Sequence, residues 1–109
     1  MEKDHVIVLT TISADADGHA LASTLVNERL AACVNVLAEM QSIYRWQGKV
    51  ESAAERQLLI KTRLPLVDAL EKRIKQLHPY DLPEFIVVPI VGGSARYLAW
   101  ITENTSEAG

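Results

Sequence analysis

Hydrophobic positions follow three kinds of pattern along the chain, and each predicts a different element. His5 to Ile12 is apolar almost without a break, with Val6, Ile7, Val8 and Leu9 consecutive, as in a strand covered on both faces. Phe85 to Val88 repeats that pattern, and Pro89 places the second such strand at or near a sheet edge. A helical period appears twice. Leu21, Ala22, Leu25, Val26 and Leu30 fall on one side of a helix that begins after the turn Ser13 to Gly18, with Asp15 or Asp17 as N-cap, and runs to about Ala31. Arg29 lies inside that apolar arc, as a snorkelling cation in the last turn. Pro65 opens the second helix, in which Leu66, Val67, Leu70, Ile74 and Leu77 share one side.

Between the helices, Ala32 to Leu37 reads as a strand that resumes after a polar interruption at Ile43 to Trp46. Gln47-Gly48-Lys49 turns the chain, and a return arm to Thr62 alternates Leu58 and Ile60 against Gln57, Leu59 and Lys61. Ser94 caps a short helix, Ala95 to Thr102, presenting Tyr97, Trp100 and Ile101. The order strand, helix, strand, strand, helix, strand predicts one α+β domain over residues 1–109. Its fold is the ferredoxin-like βαββαβ arrangement, an antiparallel sheet ordered 4-1-3-2 with both long helices on one face and a short C-terminal helix appended. The other face is then bare. Val, Ile and Phe side chains left in water there would each forgo about 1.5 to 3 kcal/mol of burial, so copies of the chain are expected to cover one another.

Charge and composition narrow the partners. Fourteen acidic and eleven basic residues give a net charge of -3 with no basic run, which argues against nucleic acid. Apolar runs are far shorter than a membrane span needs, and the acidic start followed by a short apolar run is not the pattern of a signal peptide, so a cytoplasmic protein is expected. A single cysteine, Cys33, excludes an intrachain disulfide and a Cys-rich zinc site. Thr105 to Gly109 is expected to fray.

Candidate chemistry concentrates in His78-Pro79-Tyr80-Asp81-Leu82-Pro83-Glu84, a polar connection stiffened by two prolines. It also serves as a helix stop, with His78 at the C-terminal dipole. His78 and Glu84 are the candidate ligands for a loosely held divalent cation, with water completing the shell. In the predicted sheet Cys33 and Glu84 start opposite edge strands at opposite ends, so they cannot share a metal, and Cys33 reads as a packing residue. Lys61, in a central strand, is expected to meet a carboxylate or an anionic ligand.

Several motifs, in order, resemble the CutA family of divalent-cation tolerance proteins: Leu30-Ala31-Ala32-Cys33-Val34-Asn35, Tyr44-Arg45-Trp46-Gln47-Gly48-Lys49, Lys61-Thr62, His78-Pro79-Tyr80 with Pro83-Glu84, and Tyr97 with Trp100. The resemblance implies a homotrimer, similar in architecture to the PII signalling proteins, with small ligands held in clefts between subunits near the hairpin. Tyr44, Trp46, Lys61, His78, Tyr80, Glu84, Tyr97 and Trp100 would line that cleft, or, for the aromatics, pack the trimer interface. Some similar chains carry cysteine where this one has Thr10, a soft ligand for copper. The reading is a binding or signalling module linked to metal tolerance, with no obligatory cofactor and copper or another divalent cation as a weak ligand. The alternative is a structural hub for other proteins. An enzyme is not expected, because no nucleophile stands near His78 and Gly92-Gly93 is a bare pair without a phosphate loop around it.

Overall fold

In the computed structural model, which describes residues 4–106, strand β4 (Lys49–Arg63) is the fifteen-residue spine on which the other strands assemble. It pairs antiparallel with β1 (His5–Ser13) along their whole shared length, from His5 opposite Arg63 to Ser13 opposite Glu55. Its other edge takes β2 (Cys33–Val36) and then β3 (Met40–Trp46). The short strand β5 (Ile86–Pro89) pairs with the first half of β1. The sheet therefore runs β2-β4-β1-β5, which is the expected 4-1-3-2 order once β2 and β3 are taken as one interrupted strand. Trp46 faces Lys49 across Gln47 and Gly48, whose φ values of 50° and 83° mark a two-residue turn with both central residues left-handed, the twist that suits a hairpin.

Helices α1 (Gly18–Asn27) and α2 (Val67–Leu77) cover one face, and the even-numbered residues of β1 and β4 point to them. Val6, Val8, Ile12, Leu58 and Ile60 join Leu21, Leu25, Leu70 and Ile74 in the core. Asp17 caps α1 by accepting from the Ala20 N–H at 2.9 Å. Gly18 sits so close to the sheet that a Cβ there would meet Val36 Cγ1 at 3.0 Å and Ile12 Cδ1 at 3.1 Å.

Helix α1 ends at Asn27 rather than near Ala31. Arg29 is left-handed at φ 62°, its N–H bonds the Val26 carbonyl and the Leu30 N–H bonds that of Leu25, a Schellman cap with arginine where glycine is usual. Arg29 is thus beyond the helix, and its charge serves a different one. Nη2 donates to the carbonyls of Glu103 at 2.8 Å and Thr105 at 3.3 Å, at the end of α3 (Ala95–Glu103). Arg63, buried, donates through Nε to Thr105 Oγ1 at 2.9 Å and through Nη2 to the Ser106 carbonyl. Thr105 and Ser106 are held by these bonds instead of frayed; residues 107–109 lie outside the described residues.

The second face of the sheet is not wholly bare. His5 Nε2 meets Thr102 Oγ1 at 2.9 Å and Arg63 meets Thr105, so α3 lies across the end of that face where β1 starts and β4 finishes. The middle stays open. Ile7, Leu9 and Leu59 are half-buried there, while Ile86 and Val88 on the edge strand are exposed.

Candidate functional site

Odd-numbered positions of β4 and the register-matched even positions of β3 point to the open face, so Glu51, Glu55, Gln57 and Lys61 share it with Tyr44 and Trp46. The predicted site residues divide into two groups along that face. His78, Tyr80 and Glu84 gather at the base of the hairpin with Tyr44 within electrostatic reach, Trp46 stands at its tip opposite Lys49, and Lys61, Tyr97 and Trp100 stand at the α3 end. Six positions of extended strand separate Glu55 from Lys61, roughly 20 Å. One chain does not bring the eight together.

At the hairpin end the α2–β5 loop is fastened to the sheet by its polar side chains. His78, which ends α2, turns its ring to the unpaired margin of β1, where Nε2 accepts from the Ser13 N–H at 3.3 Å. Its ring packs edge-on to Tyr80 with centroids 4.7 Å apart. Tyr80 donates its hydroxyl to Glu55 Oε2 at 3.1 Å. Burial first, then the bond to Glu55 and its negative charge, push the Tyr80 hydroxyl up to about 12, with Tyr44 and Asp15 adding to the effect. Glu84 is held twice: its carbonyl accepts from Thr10 Oγ1 at 2.6 Å and its carboxylate from Gln57 Nε2 at 2.8 Å. The same Gln57 nitrogen donates to the Thr10 carbonyl at 2.8 Å.

This geometry limits what metal chemistry the loop supports. The His78 nitrogen and the Glu84 carboxylate each bond a different protein donor, on rungs two residues apart. Among the described residues no group of three or more His, Cys, Asp or Glu side chains is placed to hold a metal. Two side chains, each already engaged by a protein donor, do not make a closed cage. Thr10 points into the helix-facing core and Gln57 away from it, so Thr10 and the Glu84 carboxylate leave the sheet on opposite faces. Cys33 is opposite Lys61 in register, four positions of β4 from Gln57, which keeps it away from the loop as expected.

At the α3 end Tyr97 and Trp100 stack with centroids 5.4 Å apart and an interplanar angle of 28°. Both are exposed. Among the described residues Lys61 meets no carboxylate; its ammonium lies 5.9 Å from the Tyr97 ring centroid, a cation–π contact. Sequence reasoning missed Glu55, Gln57 and Ser13. Glu55 and Gln57 were readable in principle, as polar residues on the same side of a central strand as Lys61. Ser13 acts through its backbone, which leaves no mark in the sequence.

Comparisons with known proteins agree with this architecture. The sequence profile described as CutA1 divalent ion tolerance protein matches residues 6–104. A rice protein named Protein CutA 1, chloroplastic, is 44% identical over 103 residues, which are 94% of this chain and 58% of the rice protein. The chain thus spans little more than half of that relative's length. The divalent-cation tolerance protein CutA of Thermus thermophilus is 46% identical over 99 residues, 91% of this chain and 96% of its own. A crystal structure of CutA1 from Oryza sativa superposes with a TM-score of 0.91 at 43% identity, covering 96% of both chains. Among the described residues no helix is long and apolar enough to cross a membrane. By sequence and by fold, the chain belongs to the CutA1 divalent ion tolerance family.

Proposed function

We propose that this chain acts in the response to divalent metals as a homotrimeric, PII-like binding module, with its ligand in a cleft between copies. The observation that carries the reading is the open face of the sheet. Ile86 and Val88 are exposed on it, and Tyr44, Trp46, Tyr97 and Trp100 stand at its ends. The accessible surface of 6871 Å² exceeds the roughly 6,000 Å² typical of a monomer of this mass. A second copy removes that surface from water and brings the hairpin end of one chain toward the α3 end of another, joining residues that one chain holds apart.

Copper or another divalent cation would bind weakly through Glu84 and through His78 once its Nε2 releases the Ser13 N–H, with water as the remaining ligands. The chain is read as binding rather than catalysing: His78 Nε2 takes the Ser13 backbone N–H, and the Ser13 hydroxyl donates to Asp15 instead of to the imidazole. A cytoplasmic location fits a chain whose one cysteine is free. A second reading, an interaction hub, has support on the opposite side of the hairpin, where Ile43 and Val50 are exposed.

Sedimentation at low micromolar concentration, paired with melting curves in copper, zinc and a panel of small anions, tests the proposal. A trimer whose melting temperature rises with a cation or small molecule is expected, since a native-state ligand must stabilise by linkage. A stable monomer refutes the trimer. A trimer that no small ligand stabilises favours the hub.

A further inference from the structure

One cavity lies apart from the cleft candidates and is lined by none of them. It runs between α3 and the segment that joins β5 to that helix, with a volume of about 800 Å³, within the range of small-molecule pockets. Leu98 and Ala99 form the helix wall, and Val91 belongs to the wall opposite. At the floor His5 Nε2 and Thr102 Oγ1 bond each other at 2.9 Å, so the lining is mostly apolar.

Two features of this cavity have no explanation in the packing of the chain itself. Gly92 and Gly93 line it, yet neither has the left-handed φ that calls for glycine, and a Cβ on Gly92 would meet nothing within 4 Å. Of the common uses of glycine, close approach of another molecule to the backbone is the one that remains. The second feature is Glu103, the one carboxylate among the lining residues, exposed at the rim. It ends α3, where the helix dipole disfavours an anion, and among the described residues its carboxylate makes no ion pair. Arg29 reaches this end of the helix but donates Nη2 to the carbonyls of Glu103 and Thr105, not to the carboxylate.

We propose that this cavity is a binding site, separate from the cleft, for a small amine that carries an apolar ring or chain. The apolar body packs against Leu98, Ala99 and Val91 over the bare backbone of Gly92, and the ammonium meets Glu103. Val91 is 98% exposed in the chain alone, so covering it favours binding. The carboxylate selects the charge of the head group.

Calorimetry on the full chain tests the site with three indoles that share a ring and differ in head group: tryptamine, tryptophol and indole-3-acetate. Tryptamine should bind about threefold more tightly than tryptophol, as a rim ion pair gives, and indole-3-acetate more weakly than either. Glu103→Gln should erase that order. Gly92→Val and Ala99→Phe fill the cavity from opposite walls at exposed positions, and each should weaken tryptamine binding about tenfold or more. Trp100→Ala should leave it unchanged; a loss there would put tryptamine on the stacked aromatics and overturn the site. Equal affinity for the three head groups overturns it, as does a wild type that binds none of them or binding that survives both filling variants. Sedimentation of the filling variants completes the test. Variants that keep the wild-type mass and lose tryptamine support the site, whereas variants that lose assembly together with tryptamine assign the glycine pair to contact between copies and overturn it.

Discussion

Tyr80 donates its hydroxyl to Glu55 across 3.1 Å, and that bond ties the loop after α2 to the middle of β4. The folded chain holds the Tyr80 proton more tightly than the unfolded chain does, because its hydroxyl is pushed up to about 12. The contribution to stability is therefore fully present below the ordinary tyrosine value of about 10 and is lost as pH rises from there through about 12. Tyr80 is expected to ionise late when its phenolate absorbance is followed with pH as the difference between wild type and Tyr80→Phe. Glu55→Gln should bring that step part of the way down, since burial, the larger cause, remains. A Tyr80 difference titration near the ordinary tyrosine value would contradict the assignment.

Arg63 and Arg29 together hold the end of α3. Arg63→Met removes a buried donor set and leaves Thr105 and the Ser106 carbonyl without it, at a cost on the order of 2 kcal/mol in denaturant unfolding. Arg29→Gly should cost less, because glycine relieves the left-handed backbone at φ 62° while losing the bonds to Glu103 and Thr105. In both variants amide exchange should quicken first in the last turn of α3.

The hairpin turn offers a stabilising change. Gln47 occupies a left-handed position that asparagine tolerates better, so Gln47→Asn should add about 0.5 kcal/mol. Gly48→Ala, at φ 83°, should subtract about 1 kcal/mol. Paired melting curves that leave the order of these two variants reversed would rule out this turn geometry.

Metal binding, measured by calorimetry, should weaken in His78→Ala and in acid, because only the neutral imidazole and the ionised carboxylate coordinate. Cys33→Ala should leave that affinity unchanged and lose about 1 kcal/mol of stability or less. Thr10→Cys is not expected to tighten copper binding appreciably, since that side chain is buried toward the helices and Glu84 turns to Gln57 on the other face. Tight copper binding by the wild type that survives His78→Ala would place the site elsewhere.

Strands and helices were legible wherever apolar periodicity was strong, which is why β1, β4, α2 and the start of α1 lie where the sequence puts them. Helix α1 stops early because Arg29 adopts a cap conformation that favours glycine, and an arginine gives no warning of it. The covering of the second face by α3 depends on Arg29 and Arg63 reaching carbonyls more than forty positions away, which no local pattern encodes. At the candidate site the residue types were readable and their grouping was not. Tyr44 and Tyr97 look alike in sequence, yet register places them at opposite ends of one face.

The length of β4 also bears on how the chain folds. Lys49 meets Trp46 across two residues, whereas Arg63 meets His5 across more than half of the chain. Closing the hairpin costs little chain entropy and is fast; docking β1 must first close a long loop, and contacts of that range slow folding. The hairpin is then the scaffold on which β1 arrives, and β1 in turn receives β5. Substitutions at Gln47 or Gly48 should act chiefly on the folding rate, and those at Arg29 or Arg63, which secure the last helix to arrive, chiefly on unfolding.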